Sequence, residues 1–228
     1  IKGDDVGYFV FSNFLTKYNA DPKKVFFSFT GGGSQSALNA LVDKSIKITF
    51  SLKTLNNEDQ IKLKSNKIYP VLIPIIKVPL LVIGNKNIPL DDLNKQQVYQ
   101  IYSGGRRYWW KFLKTRIERK KYWKFPDIDI CSLDSRNGEH YFFKEEIGLG
   151  GYFLDTKKFN HNIALIDHVA QNESAIGFIS LPYFSKINKI KLLFQSEELL
   201  ATGYLIMSKK LQENPVVKNF LYELKSFL

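Results

Sequence analysis

Three glycines run into two hydroxyls and an amide at Gly31-Gly32-Gly33-Ser34-Gln35-Ser36. An apolar run, Val25 to Phe29, precedes them, and a helical pattern, Ala37-Leu38-Asn39-Ala40-Leu41, follows. Residues of these types in this order can hold an anion. Glycines let a backbone approach a ligand closely. A helix start offers unpaired N–H groups at the positive end of its dipole. The plainer reading is a glycine-rich turn capped by Ser34 or Ser36. A second segment of the same kind is Asp134-Ser135-Arg136-Asn137-Gly138-Glu139, after a strand-like run and before a helical one. There Ser135 or Asn137 can cap the helix and Arg136 can fork onto an oxyanion. The alternative is an ordinary cap with a solvated arginine.

This chemistry is binding rather than bond-breaking. No Ser–His–Asp or Cys–His arrangement can be assembled, so the chain does not read as an enzyme. His140, His161 and His168 lack metal-ligand spacing and a cysteine partner, which predicts packing or surface roles, no metal and no cofactor. Arg106-Arg107-Tyr108-Trp109-Trp110-Lys111 mixes cations with aromatics, as nucleic-acid binders do. The competing reading is a helix start that buries Trp110 and solvates Arg106.

The elements that must position these loops follow from periodicity. Helices are expected over 7–18, 36–43, 91–101, 138–147, 161–173 and 215–227, with a short one after Asn57-Glu58-Asp59. Strands are expected over 25–29, 46–52, 71–83, 128–131, 176–179 and 204–207, with prolines at the edges of the third. Strands alternating with helices predict an α/β fold. In open sheets of that kind, ligands sit beyond the carboxyl ends of strands, where both loops fall. The 228 residues suffice for one large domain or two lobes. With 44% hydrophobic and 14% aromatic residues, disorder is excluded. A formal charge of +11 favours an anionic partner, although scattered lysines in an Asn-, Ile- and Lys-rich chain fit codon bias equally well. The single cysteine, Cys131, excludes an internal disulfide and reads as a buried thiol. No signal peptide is seen, and 71–83, broken by Pro74, Lys77 and Pro79, is too short to span a bilayer. The sequence reads as a soluble, mature or trimmed chain.

The order of segments resembles the phosphate-binding component of ABC-type phosphate transporters, a periplasmic-binding-protein family. Gly31 to Ser36 matches its Gly-Ser-rich loop, and Ser51-Leu52-Lys53-Thr54-Leu55-Asn56-Asn57-Glu58 its Ser-Arg/Asp-x-x-Leu segment. Residues 78–85 match the first crossover strand, and Leu93 to Trp110 a Leu…Ile-x-x-Gly…Trp stretch. Ser135-Arg136-Asn137 falls at its Ser-Gly-Thr loop, with Asn137-Gly138-Glu139 the alternative register, and Ser174 to Phe178 matches the return crossover. The resemblance implies a type II two-lobed α/β fold hinged by two crossover strands, with 1–79 and 180–228 in one lobe and 80–179 in the other. It implies capture of inorganic phosphate in an inter-lobe cleft by Ser34, Gln35, Ser36, Ser135, Arg136, Asn137, Asp5, the Val6 backbone and Lys53. Val6 and Leu52 stand where the family has a hydroxyl and a Ser or Asp. Phosphate keeps a proton that sulfate lacks, so a carboxylate acceptor separates the two. Asp5 is the first candidate for that acceptor and Asp4 the second, unless both are exposed turn carboxylates. The implied protein is a monomer with no nucleic-acid partner. It is periplasmic or on the cell surface, with or without a lipoprotein anchor, and hands its ligand to an ABC permease. A binder of another oxyanion such as sulfate, a degenerate member that does not transport, and a basic nucleic-acid binder are the alternatives.

Overall fold

The computed structural model describes residues 1–184 and 188–228. In chain order the first elements are β1 (Lys2–Gly3), α1 (Gly7–Tyr18), α2 (Ser34–Val42), β2 (Ile48–Ser51) and α3 (Asn57–Ser65). Next come β3 (Pro70–Asn85), α4 (Lys95–Tyr102), α5 (Arg116–Tyr122), β4 (Asp129–Leu133), α6 (Gly138–Glu146) and β5 (Lys157–Phe159). The chain ends with α7 (Asn162–Gln171), β6 (Ala175–Ser180), β7 (Ile190–Phe194), β8 (Leu200–Ser208), α8 (Lys209–Gln212) and α9 (Pro215–Phe227). Helices and strands alternate from β2 to β6, apart from the pair α4 and α5, and β6, β7 and β8 then follow in succession. Two compact units result: residues 1–78, 136–138 and 201–228 in the first, and 79–135 and 139–200 in the second.

In the first unit β1 pairs parallel with β2, and β2 antiparallel with β8, which neighbours β3. Val10, Phe11, Phe14, Leu15 and Tyr18 of α1 repeat at helical spacing and are buried. An aromatic core forms as Phe11 stacks on Phe29 and Phe27 on Phe220. Leu38, Leu41, Leu63, Ile68 and Ile206 make a smaller cluster under α2 and α3. The expected strand over 25–29 does not form. Val25 and Phe26 are exposed, Asn19 ties both the N–H and the carbonyl of Phe27, and only Thr30 bridges to Lys2. The side chain of Asn19 takes the backbone groups that a sheet would have used.

In the second unit β3 pairs antiparallel with β6 and β7, and β4 parallel with β6 and β5. The whole of β6 is buried, which is why it reads as a continuous apolar run. Pro74 and Pro79 lie inside the 16-residue β3, not at the edges of shorter strands. Pro79 stands where the strand passes from one unit to the other and its partner changes, from β8 to β6. Strand β7 and the capped helix α5 carry little hydrophobic periodicity, and the sequence reading missed them. Trp109, not Trp110, is the buried indole; its Nε1–H donates to the Ser174 carbonyl at 3.0 Å, while Arg106 lies over the Phe112 ring.

Candidate functional site

The start of α2 is built by glycines. Gly32 and Gly33 have φ of 114° and 83°, values that side chains resist. A Cβ on Gly33 would come within 2.6 Å of the Arg136 carbonyl oxygen. Segments 31–35 and 136–138 therefore run close together, and the Gln35 N–H donates to that carbonyl at 3.1 Å.

At the centre lies Asp4, fully buried. Its Oδ1 accepts from the Ser34 N–H at 2.7 Å and the Gly138 N–H at 2.8 Å. Its Oδ2 accepts from the Leu52 N–H at 2.8 Å and contacts the Ser34 hydroxyl. Three chain segments thus converge on one carboxyl group, and all of them belong to the first unit. The hydroxyls continue the network: Ser34 Oγ lies 2.8 Å from Ser51 Oγ, and Ser51 donates to the Lys53 carbonyl at 2.6 Å. Burial pushes the Asp4 carboxyl up from its ordinary pKa, against the pull of its donors.

The adjoining amides are also engaged. Gly31 N–H donates to the Tyr8 hydroxyl, Gly32 N–H to Asp5 Oδ1 and Gly33 N–H to the Gly3 carbonyl. Each of the five successive amides from Gly31 to Gln35 therefore has an acceptor within the chain. Loops that hold anions use such rows of N–H groups on the ligand.

Ser34, Gln35, Asp5, Lys53 and Arg136 gather around this cradle. The Lys53 ammonium pairs with Asp59 at 2.9 Å and donates to Gln35 Oε1 at 2.9 Å. Of the two carboxylates, Asp4, the second choice, is the one buried, while Asp5 is only half-buried. Val6 is buried as the residue before α1, and the Gly7 N–H is taken by the Asp4 carbonyl at 2.9 Å, so it is not available to a ligand. Ser36 is half-buried in the first turn of α2; Arg136 is exposed and Asn137 buried. Ser135 is exposed and belongs to the second unit. Sequence reasoning missed the backbone donors of Leu52 and Gly138. The register Asn137-Gly138-Glu139 was the available clue to the latter; nothing in the type of residue 52 announces a donating amide.

In the second unit Asp129, Cys131 and His168 bring ligand atoms within 4.8 Å of one another, so His168 does have a cysteine neighbour, contrary to the sequence reading. Asp129 and Cys131 share a face of β4, and α7 packs His168 against it. His168 Nε2 lies 2.5 Å from Asp129 Oδ2 and its Nδ1 3.1 Å from the Asn172 amide. Burial pushes the Cys131 thiol up to about 12. Both ring nitrogens of His168 are hydrogen-bonded, His168 and Asp129 are half-buried, and Cys131 is buried. His140 packs on Phe153, with Nδ1 2.8 Å from the Leu133 carbonyl.

Residues 1–224 match the PBP superfamily domain. The phosphate-binding protein PstS of Staphylococcus saprophyticus is 26% identical over 177 residues, 77% of this chain and 53% of that protein. The chain thus spans about half the length of the curated relatives it matches. Among solved structures, a Clostridium perfringens protein with bound phosphate, of the phosphate ABC transporter substrate-binding class, superposes with a TM-score of 0.77. It is 17% identical, and the match covers 98% of this chain and 90% of that one. An ABC-type phosphate transport receptor from Vibrio cholerae gives 0.74 at 18% identity, covering 98% and 92%. These likenesses establish the α/β fold of periplasmic binding proteins.

Proposed function

The chain belongs to the PBP superfamily, and from that premise we propose that it is an extracytoplasmic solute-binding protein that captures inorganic phosphate and delivers it to an ABC permease. The observation that carries this reading is the convergence of the Ser34, Leu52 and Gly138 amides and the Ser34 hydroxyl on one buried point. Neutral donors held in place by the fold suit an oxyanion, because their directions are preset. The relatives named above carry the same assignment, which supports phosphate over sulfate. The protein acts by binding alone, as a monomer, with no reaction on the ligand. No helix among the described residues is long and apolar enough to cross a membrane; a lipid anchor at the cell surface is part of this reading. Ser34, Gln35, Ser36, Asn137 and Arg136 would face the ligand, with Lys53, paired to Asp59, holding the Gln35 side chain in place.

Calorimetric titration of phosphate, with sulfate beside it, into protein stripped by unfolding and refolding tests this reading. Saturable phosphate heat, weakened at least tenfold by Ser34→Ala, is expected. Equal binding of sulfate would make the site a general oxyanion cradle. Absence of saturable heat, both in this chain and in the Asp4 variant described below, would overturn the reading.

A further inference from the structure

The cradle already has an occupant. We propose that Asp4 is the resident anion surrogate of this site: its carboxyl group takes the donors that a free oxyanion would use, and it sets the affinity for phosphate by competing with it. The proposal rests on the reading of the cradle as a phosphate site.

Three observations carry it. The Asp4 carboxyl accepts from donors on three separate segments, the starts of α2 and α6 and the turn after β2, with heavy-atom distances of 2.7–2.8 Å for the three amides. A carboxylate and a phosphate present the same kind of acceptor oxygens, so donors placed for one fit the other. The occupation extends to the rim. Asp5 takes the Gly32 amide, the Arg136 carbonyl takes that of Gln35, and Lys53 is held by Asp59. Finally, the interior is full. A single Cβ added at Gly138 would lie 2.4 Å from Asp4 Oδ2, 2.6 Å from Ser34 Oγ and 2.9 Å from Leu52 Cβ. A tetrahedral oxyanion is larger than a methyl group, so it enters only if the Asp4 side chain leaves.

A buried acid that merely staples three loops would show the same hydrogen bonds, so the test asks what happens when the acid is removed. Asp4→Ser shortens the side chain, frees the donors and keeps a small polar group. The prediction is that Asp4→Ser binds phosphate at least tenfold more tightly than the unaltered chain. Without phosphate it should melt at a lower temperature, and phosphate should raise its melting point more than that of the unaltered chain, because a ligand that binds only the folded state stabilises it. Where Asp4→Ser does not fold alone, recovery of its folded signal by phosphate is the readout, and no recovery overturns the proposal. Asp5→Asn removes a charge beside the cradle without opening it. Equal tightening by Asp5→Asn would assign the effect to net charge and overturn the proposal. Unchanged or weaker phosphate binding in Asp4→Ser, with tight binding in the unaltered chain, would overturn it too and leave the phosphate reading standing. No phosphate binding by either folded protein would remove both.

Discussion

Two helix starts, those of α2 and α6, look alike in sequence, and the structure uses them differently. At α2 the first residue, Ser34, is buried and gives both its amide and its hydroxyl to Asp4. At α6 the corresponding hydroxyl, Ser135, is exposed, and the contribution is the bare amide of Gly138. The first works through side-chain chemistry and the second through the space left by a missing side chain. A polar residue advertises its chemistry, whereas a backbone donor shows itself only through the glycine that lets a neighbour reach it.

The strongest attempt to break that contrast is Gly138→Ala. Its Cβ would meet Asp4, Ser34 and Leu52 all within 3 Å, so the cradle must shift. A loss of about 3 kcal/mol is expected from overpacking, measured by urea unfolding. Gly33→Ala tests the α2 side in the same way. It adds a contact with a backbone oxygen at 2.6 Å and a strained φ of 83°, and about 2 kcal/mol is expected. Next in size are the hydroxyls. Ser34→Ala leaves buried acceptors without a partner and should cost about 1–3 kcal/mol. Ser135→Ala should change stability by about 0.5 kcal/mol or less. Equal effects at the two serines would erase the distinction.

Acid sharpens the comparison through its sign. Burial holds His140, in α6, below its ordinary pKa. The unfolded chain therefore takes up a proton that the folded one refuses, and stability falls as the pH drops through about 6.5, the ordinary histidine value. Asp4 runs the other way. Its carboxyl keeps a proton to higher pH when folded, so its contribution is full in acid, below the ordinary value, and is lost as the pH rises through the folded pKa. All three tryptophans, at 109, 110 and 123, lie in the second unit. Melts followed by tryptophan fluorescence between pH 7 and 5 should show the decline, and His140→Gln should flatten it. The smallest effect concerns Cys131. With its thiol pushed up to about 12, it should react with a disulfide reagent only after unfolding.

Much of the fold was legible because its signals are repetitive. The helices over 7–18 and 215–227 have the expected bounds, since their apolar faces recur at helical spacing. The fold class followed from the alternation of elements. Segment 25–29 misled because β-branched and aromatic residues suit a strand, and nothing local reveals that Asn19 has claimed its backbone. Of the cradle, Ser34 and Gln35 were readable as polar residues after glycines. Asp4 was underrated against its neighbour Asp5 because two adjacent carboxylates carry no mark of which one turns inward. Leu52 looked like a lost ligand, yet its backbone still donates.

The tripeptide 136–138 has a further consequence, for synthesis. It belongs to the first unit although the chain on either side of it belongs to the second. Asp4 leaves the ribosome 134 positions before its last partner, Gly138. Strand β8, which completes the sheet of that unit, follows only after residue 200. Segment 1–78 therefore waits with a carboxylate and a row of amides exposed to water until residues 136–138 are made, and contacts this distant in sequence form slowly. A first unit made by joining 1–78 directly to 201–228 would carry the same gap permanently. Any attempt to produce it alone has to graft the Arg136-Asn137-Gly138 bridge back onto it.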